Sequence, residues 1–225
     1  MTKLVVFDVD GTILDSFGLY AQAVETYSRD NGLPMPCLDT IKIGYGDPHN
    51  HDFKWGVDRD EQRRHLIGTF QLAEKWETSG NLAHVPDFFA GALDMLIALK
   101  DTGHALAIVT SRPSHSLHST LYHHGVGKLF SAIRTGCDVK ARGEKEKPEP
   151  DQLLSVIREL AGHAQKTVMV GDTVMDIKMG LGAQAHTVGV TWGVHPRAHL
   201  EKAGAHHIVS TQANDIVSVV KSIFG

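Results

Sequence analysis

Cysteine is nearly absent from this chain: Cys37 and Cys137 stand alone among 225 residues, with no CxxC pair. That argues against a disulfide framework and fits a reducing compartment, so the cytoplasm is the expected location. No apolar run reaches the roughly 18 residues of a membrane span. Asp8 also interrupts the N-terminal apolar run before it could serve as a signal-peptide core. Neither export nor membrane insertion is expected. Positive charge is not in excess: 22 Lys and Arg stand against 26 Asp and Glu, a formal net charge of -4. The composition therefore offers no basic field for nucleic acid. With 42% hydrophobic and 21% charged residues, what remains is an ordinary globular chain, long enough for one core plus an inserted or appended module.

What is present is a set of short Val- and Ile-rich segments at residues 4–7, 105–109, 167–170 and 186–190, with amphipathic helical stretches between the later ones. Strands buried on both faces read as continuous apolar runs of this kind. Weaker segments at 130–134 and 207–209 bring the count to about five or six strands, and the order predicts an α/β fold, a Rossmann-like parallel sheet core. Between residues 7 and 105 there is little strand character, over far more chain than a crossover needs. Residues 17–30 have helical spacing and stop at Asn31–Gly32, while 58–80 read as a longer helix ending at Gly80. The stretches 34–36 and 44–48 read as turns. Residues 16–84 are accordingly expected to form a small α-helical domain inserted into a core made of residues 1–15 and 85–225.

In an open parallel sheet, ligands bind beyond the carboxyl ends of the strands. The first apolar segment is followed by Asp8-Val9-Asp10-Gly11-Thr12, the second by Thr110-Ser111-Arg112, and the third by Gly171-Asp172-Thr173 with Asp176 just beyond. Lys147, in EKPEP, precedes the helix that leads into the third strand and can reach the same edge. Asp8, Asp10, Asp172 and Asp176 would form an oxygen-rich pocket, and hard oxygen ligands without His or Cys favour Mg2+ shared with a phosphate. A turn at Gly11 lets backbone N–H groups of Gly11 and Thr12 approach an anion. Lys147, the Thr110 hydroxyl and N–H groups near Ser111 would hold phosphoryl oxygens. Taken singly, each motif has a plainer reading: DxDG as a turn, Thr-Ser as a loop cap, Lys-Pro as a solvated loop, Asp172 as a helix cap and Asp176 as an exposed helix residue. None of these explains why all four segments fall at strand ends that the topology brings together.

In order and approximate spacing, FDVDGTILDS, IVTSRP, EKPEP and VGDTVMDIKMG resemble the four motifs of the haloacid dehalogenase superfamily, in particular its phosphoglycolate phosphatase-like branch. The resemblance covers nearly the whole core and implies a helical cap between the first and second motifs. It implies that Asp8 is a nucleophile forming an aspartyl-phosphate, and that Asp10 is the acid that protonates the leaving alcohol and then activates water. Mg2+ would be held by the Asp8 carboxylate, the Asp10 backbone carbonyl and Asp172, with Asp176 in direct or indirect support. Thr110 and Lys147 would bind the phosphoryl group. The third motif depends on Lys147 rather than Lys145 being the aligned lysine, and Pro148 and Pro150 favour Lys147. A carboxylate attacks without prior deprotonation, and its acyl phosphate is labile to water, so the two aspartates can divide attack from proton transfer. The sequence departs from the family pattern at Ala183-Gln184-Ala185, where Ala-Gly is usual, and at TSRP, which places Arg112 as a substrate candidate.

Competing signals are weaker. Gly180-Leu181-Gly182-Ala183-Gln184-Ala185 fits GxGxxA, but it follows a helix and precedes a strand, the reverse of a phosphate-cradling loop. The 15 histidines, including His49, His51, His123, His124, His206 and His207, have no HExxH or Cys/His set, so zinc is not expected. In the inserted segment, Lys42, Lys54, Arg59, Arg63 and Arg64 are candidates for meeting an anionic substrate tail. The expected activity is Mg2+-dependent hydrolysis of a small phosphorylated metabolite. The alternatives are a phosphomutase of the same superfamily, or a non-catalytic phosphate-ligand sensor or partner-binding protein. Asp10 disfavours dehalogenation, and phosphonate hydrolysis, because those chemistries lack a second aspartate.

Overall fold

A computed structural model of the protein describes residues 2–46 and 58–225. In chain order the elements are β1 (Thr2–Phe7), β2 (Leu14–Asp15), α1 (Phe17–Asp30), α2 (Leu38–Gly46), α3 (Arg59–Glu77), β3 (Asp87–Phe88), α4 (Ala92–Asp101), β4 (Ala105–Val109), α5 (Ser114–His123), β5 (Phe130–Arg134), α6 (Gly136–Arg142), α7 (Asp151–Glu159), β6 (Gly162–Gly171), α8 (Val174–Gly182), β7 (His186–Val190), α9 (Arg197–Lys202), β8 (His207–Val209) and α10 (Asp215–Phe224). They divide into two units, Met1–Asp15 with Asp87–Gly225, and Ser16–Pro86.

The first unit is an α/β, Rossmann-like sheet of six strands in the order β5-β4-β1-β6-β7-β8, all parallel. The alternation of side chains along each strand builds two hydrophobic layers. Val5 and Phe7 of β1, Leu106 and Ile108 of β4, and Val168 and Val170 of β6 join one layer with α4, α5 and α10 residues. Leu4 and Val6, Ala107 and Val109, and Met169 join the other with residues of α7 and α8. Burial on both faces is why these segments carry no polar alternation. Phe7 is in register with Ile108 of β4 and with Val170 of β6. The chain therefore leaves three adjacent strands at one level, and the loops that leave them are gathered at one edge. The two-residue strands β2 and β3 pair antiparallel; they are too short for any periodicity to announce them.

The second unit packs α1, α2 and α3 around Tyr20, Val24, Ile41 and Leu66. Tyr20 lies 4.7 Å from Phe70 and 5.1 Å from Tyr45, ring centroid to centroid. Asp58 caps α3 by accepting from the N–H groups of Asp60 and Glu61 at 3.0 Å. That helix ends at Glu77, short of the expected Gly80, which sits at φ 79 in the turn beyond. The turn expected at 44–48 is corrected: Gly44 and Tyr45 lie inside α2, and residues 47–48 lie outside the described residues. Burial of Ile41 at 1% exposure outweighs the poor helix propensity of a segment with two glycines. Among the described residues, no helix is long and apolar enough to cross a membrane.

Candidate active site

Asp8 follows β1 directly, and its N–H donates to the Val170 carbonyl of β6 at 2.9 Å, continuing the strand pairing up to the site. Its carboxylate lies in a buried group with those of Asp172 and Asp176, one oxygen from each falling within 4.8 Å of the others. Lys147 Nζ donates to Asp8 Oδ1 and to Asp176 Oδ1, both at 2.7 Å. Lys145, the other lysine of that loop, is exposed, and its N–H donates to Asp151. Geometry thus separates the two lysines. Asp176, which has a plain reading as an exposed helix residue, is fully buried. Its Oδ2 accepts from the Thr173 N–H at 3.1 Å and the Thr173 hydroxyl at 2.6 Å, a capping box at the start of α8.

Crowding of carboxylates sets the electrostatics. Burial pushes the Asp8 carboxyl from its ordinary 3.8 up to about 7, with Lys147 opposing and Asp176 and Asp10 reinforcing. Burial first, then Asp8 and Asp176, holds Asp172 well above its ordinary value, against the pull of the Val194 N–H and the Thr12 hydroxyl. Burial alone would lower the Lys147 ammonium, but Asp176 and Asp8 outweigh it and hold it above its ordinary value. One cation among three buried carboxylates leaves them mutually repelling. A donor set made only of carboxylate oxygens at this spacing fits a hard divalent cation. Among the described residues no such group includes a histidine or cysteine; His49 and His51 lie outside them.

Asp172 is held from three directions. The Thr12 hydroxyl donates to Oδ1 at 2.9 Å, the Val194 N–H donates to Oδ2 at 2.8 Å, and the His195 N–H donates to its carbonyl at 3.3 Å. Gly11, at φ 77, and Gly193 both face this carboxylate so closely that a Cβ on either would overlap Asp172 Oδ2. The expectation that Gly11 and Thr12 present N–H groups to an anion is corrected. The Gly11 N–H donates to the Leu14 carbonyl at 3.0 Å and the Thr12 N–H to the Val9 carbonyl at 3.2 Å, because the loop closes tightly on itself. What both residues do meet is Asp172, Thr12 through its hydroxyl and Gly11 by close approach. The 191–195 loop after β7 escaped the sequence reading, although the glycine in TWGVH was a signal of close approach.

Asp10 stands apart from the three clustered carboxylates. Its Oδ1 accepts from Arg112 Nη1 at 2.5 Å. Arg112 Nε donates to Ser116 Oγ at 2.9 Å and Nη2 to Thr120 Oγ1 at 3.3 Å. The guanidinium of this substrate candidate is thus turned inward onto Asp10 and α5. Thr110 is buried, and its Oγ1 accepts from the Arg112 N–H at 3.2 Å; Ser111 beside it is exposed. In the other unit, Lys42, Arg59, Arg63 and Arg64 are exposed, with Lys42 Nζ 5.6 Å from the Phe17 ring centroid. Lys54 lies outside the described residues. Of the glycines of GxGxxA, Gly180 serves packing, since a Cβ there would overlap the Thr187 methyl.

Comparison with known proteins gives the family. The profile of the family described as haloacid dehalogenase-like hydrolase matches residues 5–190. "Probable phosphatase IndB" of Dickeya dadantii (strain 3937) is 31% identical over 94% of this chain and 90% of its own length. A phosphoglycolate phosphatase of Aliivibrio fischeri (strain ATCC 700601 / ES114) is 30% identical over 85% of each chain. A solved haloacid dehalogenase-like family hydrolase from Streptococcus pneumoniae superposes with a TM-score of 0.80 over 97% of this chain and 98% of its own, at 17% identity, a likeness of fold. The chain belongs to the haloacid dehalogenase-like hydrolase family and is an enzyme of its phosphatase type.

Proposed function

We propose that this enzyme is a Mg2+-dependent phosphatase that hydrolyses a small phosphomonoester, phosphoglycolate-like in size, through an aspartyl-phosphate on Asp8. The observation that carries the reading is the buried Asp8 at the end of β1, joined to Lys147 and grouped with Asp172 and Asp176. Asp8, Asp172 and Asp176 would hold the ion, which supplies charge neutralisation for the phosphoryl group. In the first step an Asp8 oxygen bonds to phosphorus as the ester P–O bond breaks, and Asp10 gives its proton to the departing alcohol oxygen. In the second, Asp10 takes a proton from water as the water oxygen bonds to phosphorus, and the Asp8–phosphorus bond breaks to release phosphate.

An ammonium has three N–H groups, and Lys147 uses two of them on Asp8 and Asp176, leaving the third for a phosphoryl oxygen. The Thr110 hydroxyl accepts from the Arg112 N–H, so its own proton can be donated to a second phosphoryl oxygen. Phosphoryl transfer asks mainly for such positioning and charge neutralisation. The substrate class follows from the relative named for phosphoglycolate and is the finer part of the proposal. Phosphate release from a panel of 2-phosphoglycolate, sugar phosphates, nucleotides and pyrophosphate tests it, with and without Mg2+, for the natural protein and Asp8→Asn. Turnover that needs both Mg2+ and Asp8 is expected. Turnover that survives either loss would overturn the mechanism, and transfer to a sugar acceptor without phosphate release would make the enzyme a mutase.

A further inference from the structure

Two buried hydroxyls on α5 face Arg112, and that of Thr120 also donates to the Ser116 carbonyl at 3.2 Å. Leu117 and Leu121 of that helix pack in the hydrophobic core, yet Ser116 and Thr120, one turn apart, are also only 1% exposed. Buried hydroxyls need partners, and here they accept from Arg112 Nε and Nη2. The main chain of Arg112 is fixed as well, its N–H on Thr110 Oγ1 and its carbonyl accepting from Gly136 N at 3.1 Å. The remaining edge of the guanidinium meets Asp10 Oδ1 at 2.5 Å, with the arginine side chain 5% exposed and the aspartate 24% exposed. The cation sits behind and the carboxylate in front. An arginine reaching out to substrate would give up three hydrogen bonds.

We infer that Arg112 is a positioning residue for proton transfer: anchored by Ser116 and Thr120, it fixes the rotamer of Asp10 by holding Oδ1. The inference rests on the proposed two-step phosphatase mechanism, in which Asp10 protonates the leaving alcohol. A planar fork bonded on three sides orients a carboxylate in a way that a lysine cannot reproduce. Sites of this kind depend on side chains locked by the groups behind them.

The test compares kcat/KM, which covers the steps up to alcohol release, for an alkyl phosphomonoester and for p-nitrophenyl phosphate, whose leaving group needs little protonation. Arg112→Gln is expected to lower the first by about 100-fold and the second by less than about 10-fold. Arg112→Lys is expected to fall between, with the same bias toward the alkyl ester. Ser116→Ala and Thr120→Val, which loosen the anchor, should shift the ratio in the same direction and keep the test open if Arg112→Gln fails to fold. An equal loss on both esters, or a rise in KM alone on both, would overturn the inference and leave Arg112 as a structural or substrate-binding residue. Failure of the unmodified protein to cleave any ester would instead remove the phosphatase reading, and this inference with it.

Discussion

Lys147 Nζ lies 2.7 Å from Asp176 Oδ1, so a lysine from the loop before α7 and an aspartate from the first turn of α8 share one buried ion pair. The same ammonium reaches Asp8, which ties three segments distant in sequence to a single positive charge. The cluster is therefore a weak point in the stability of the protein, because taking away the ammonium leaves the carboxylates buried without a counterion.

Lys147→Met should remove turnover and, in EDTA, lower unfolding stability by about 3–5 kcal/mol, the cost of leaving buried charges unpaired. Added Mg2+ should recover part of the stability and none of the rate. Urea unfolding with and without the ion measures this; a loss below about 1 kcal/mol in EDTA would mean the pair behaves as a solvated one.

Gly193→Ala tests the close approach at Asp172. A Cβ there overlaps Asp172 Oδ2 and the Gly11 carbonyl, so the carboxylate must shift, at about 1–3 kcal/mol. The Mg2+ concentration for half-maximal activity should rise. Gly127→Ala is the control, since its Cβ would meet nothing within 4 Å; equal behaviour of the two variants would contradict the packing argument.

The carboxylate cluster predicts a pH-dependent response to metal. Asp8 is raised from 3.8 to about 7 in the folded protein, so the folded state binds its proton more tightly than the unfolded chain does. Its contribution to stability is complete below about pH 4 and is lost as pH rises through about 7. Mg2+ takes the ionised carboxylates, so the Tm gain on adding it should be small at about pH 5 and grow through pH 7. Thermal melts in EDTA and in Mg2+ across that range decide it, and a gain that falls as pH rises would refute the prediction.

Gln184→Gly should stabilise the protein by about 0.5–1 kcal/mol. Gln184 holds φ 59 just after the end of α8, an exposed position where the chain turns back toward β7 and its N–H donates to the Leu181 carbonyl at 2.9 Å. A side chain pays for the left-handed conformation there, and glycine does not. Lower stability of the variant in denaturant would show that the glutamine makes a compensating contact.

The core strands were readable because burial on both faces writes a continuous apolar run into sequence, and Phe130–Arg134 and His207–Val209 appeared even with weaker patterns. The helix α2 was not readable: LDTIKIGYG is a poor helix in isolation, and it forms where Ile41 has Tyr20, Val24 and Leu66 to bury against. The pair β2 and β3 spans two residues each, fewer than one period of alternation. Around the site, the side chains at the strand ends were legible as polar residues interrupting apolar runs. The direction of their hydrogen bonds was not, and Gly11 and Thr12 turned their N–H groups into the loop.

By itself the sequence determined which residues stand at the ends of β1, β4 and β6, since a continuous apolar run locates a strand buried on both faces and its termination is local. The cap of α8 lies in a local stretch too, yet it is Thr173 with Asp176 three residues on, where the plain reading of the sequence had Asp172 as the cap. Only the tertiary structure decided that Lys147 serves Asp8 and Asp176 together, that the loop after β7 clamps Asp172, and that Arg112 faces Asp10. Those relations depend on parallel register between strands far apart in the chain, and on which side chain occupies a shared volume, and neither quantity is written in any local stretch of residues.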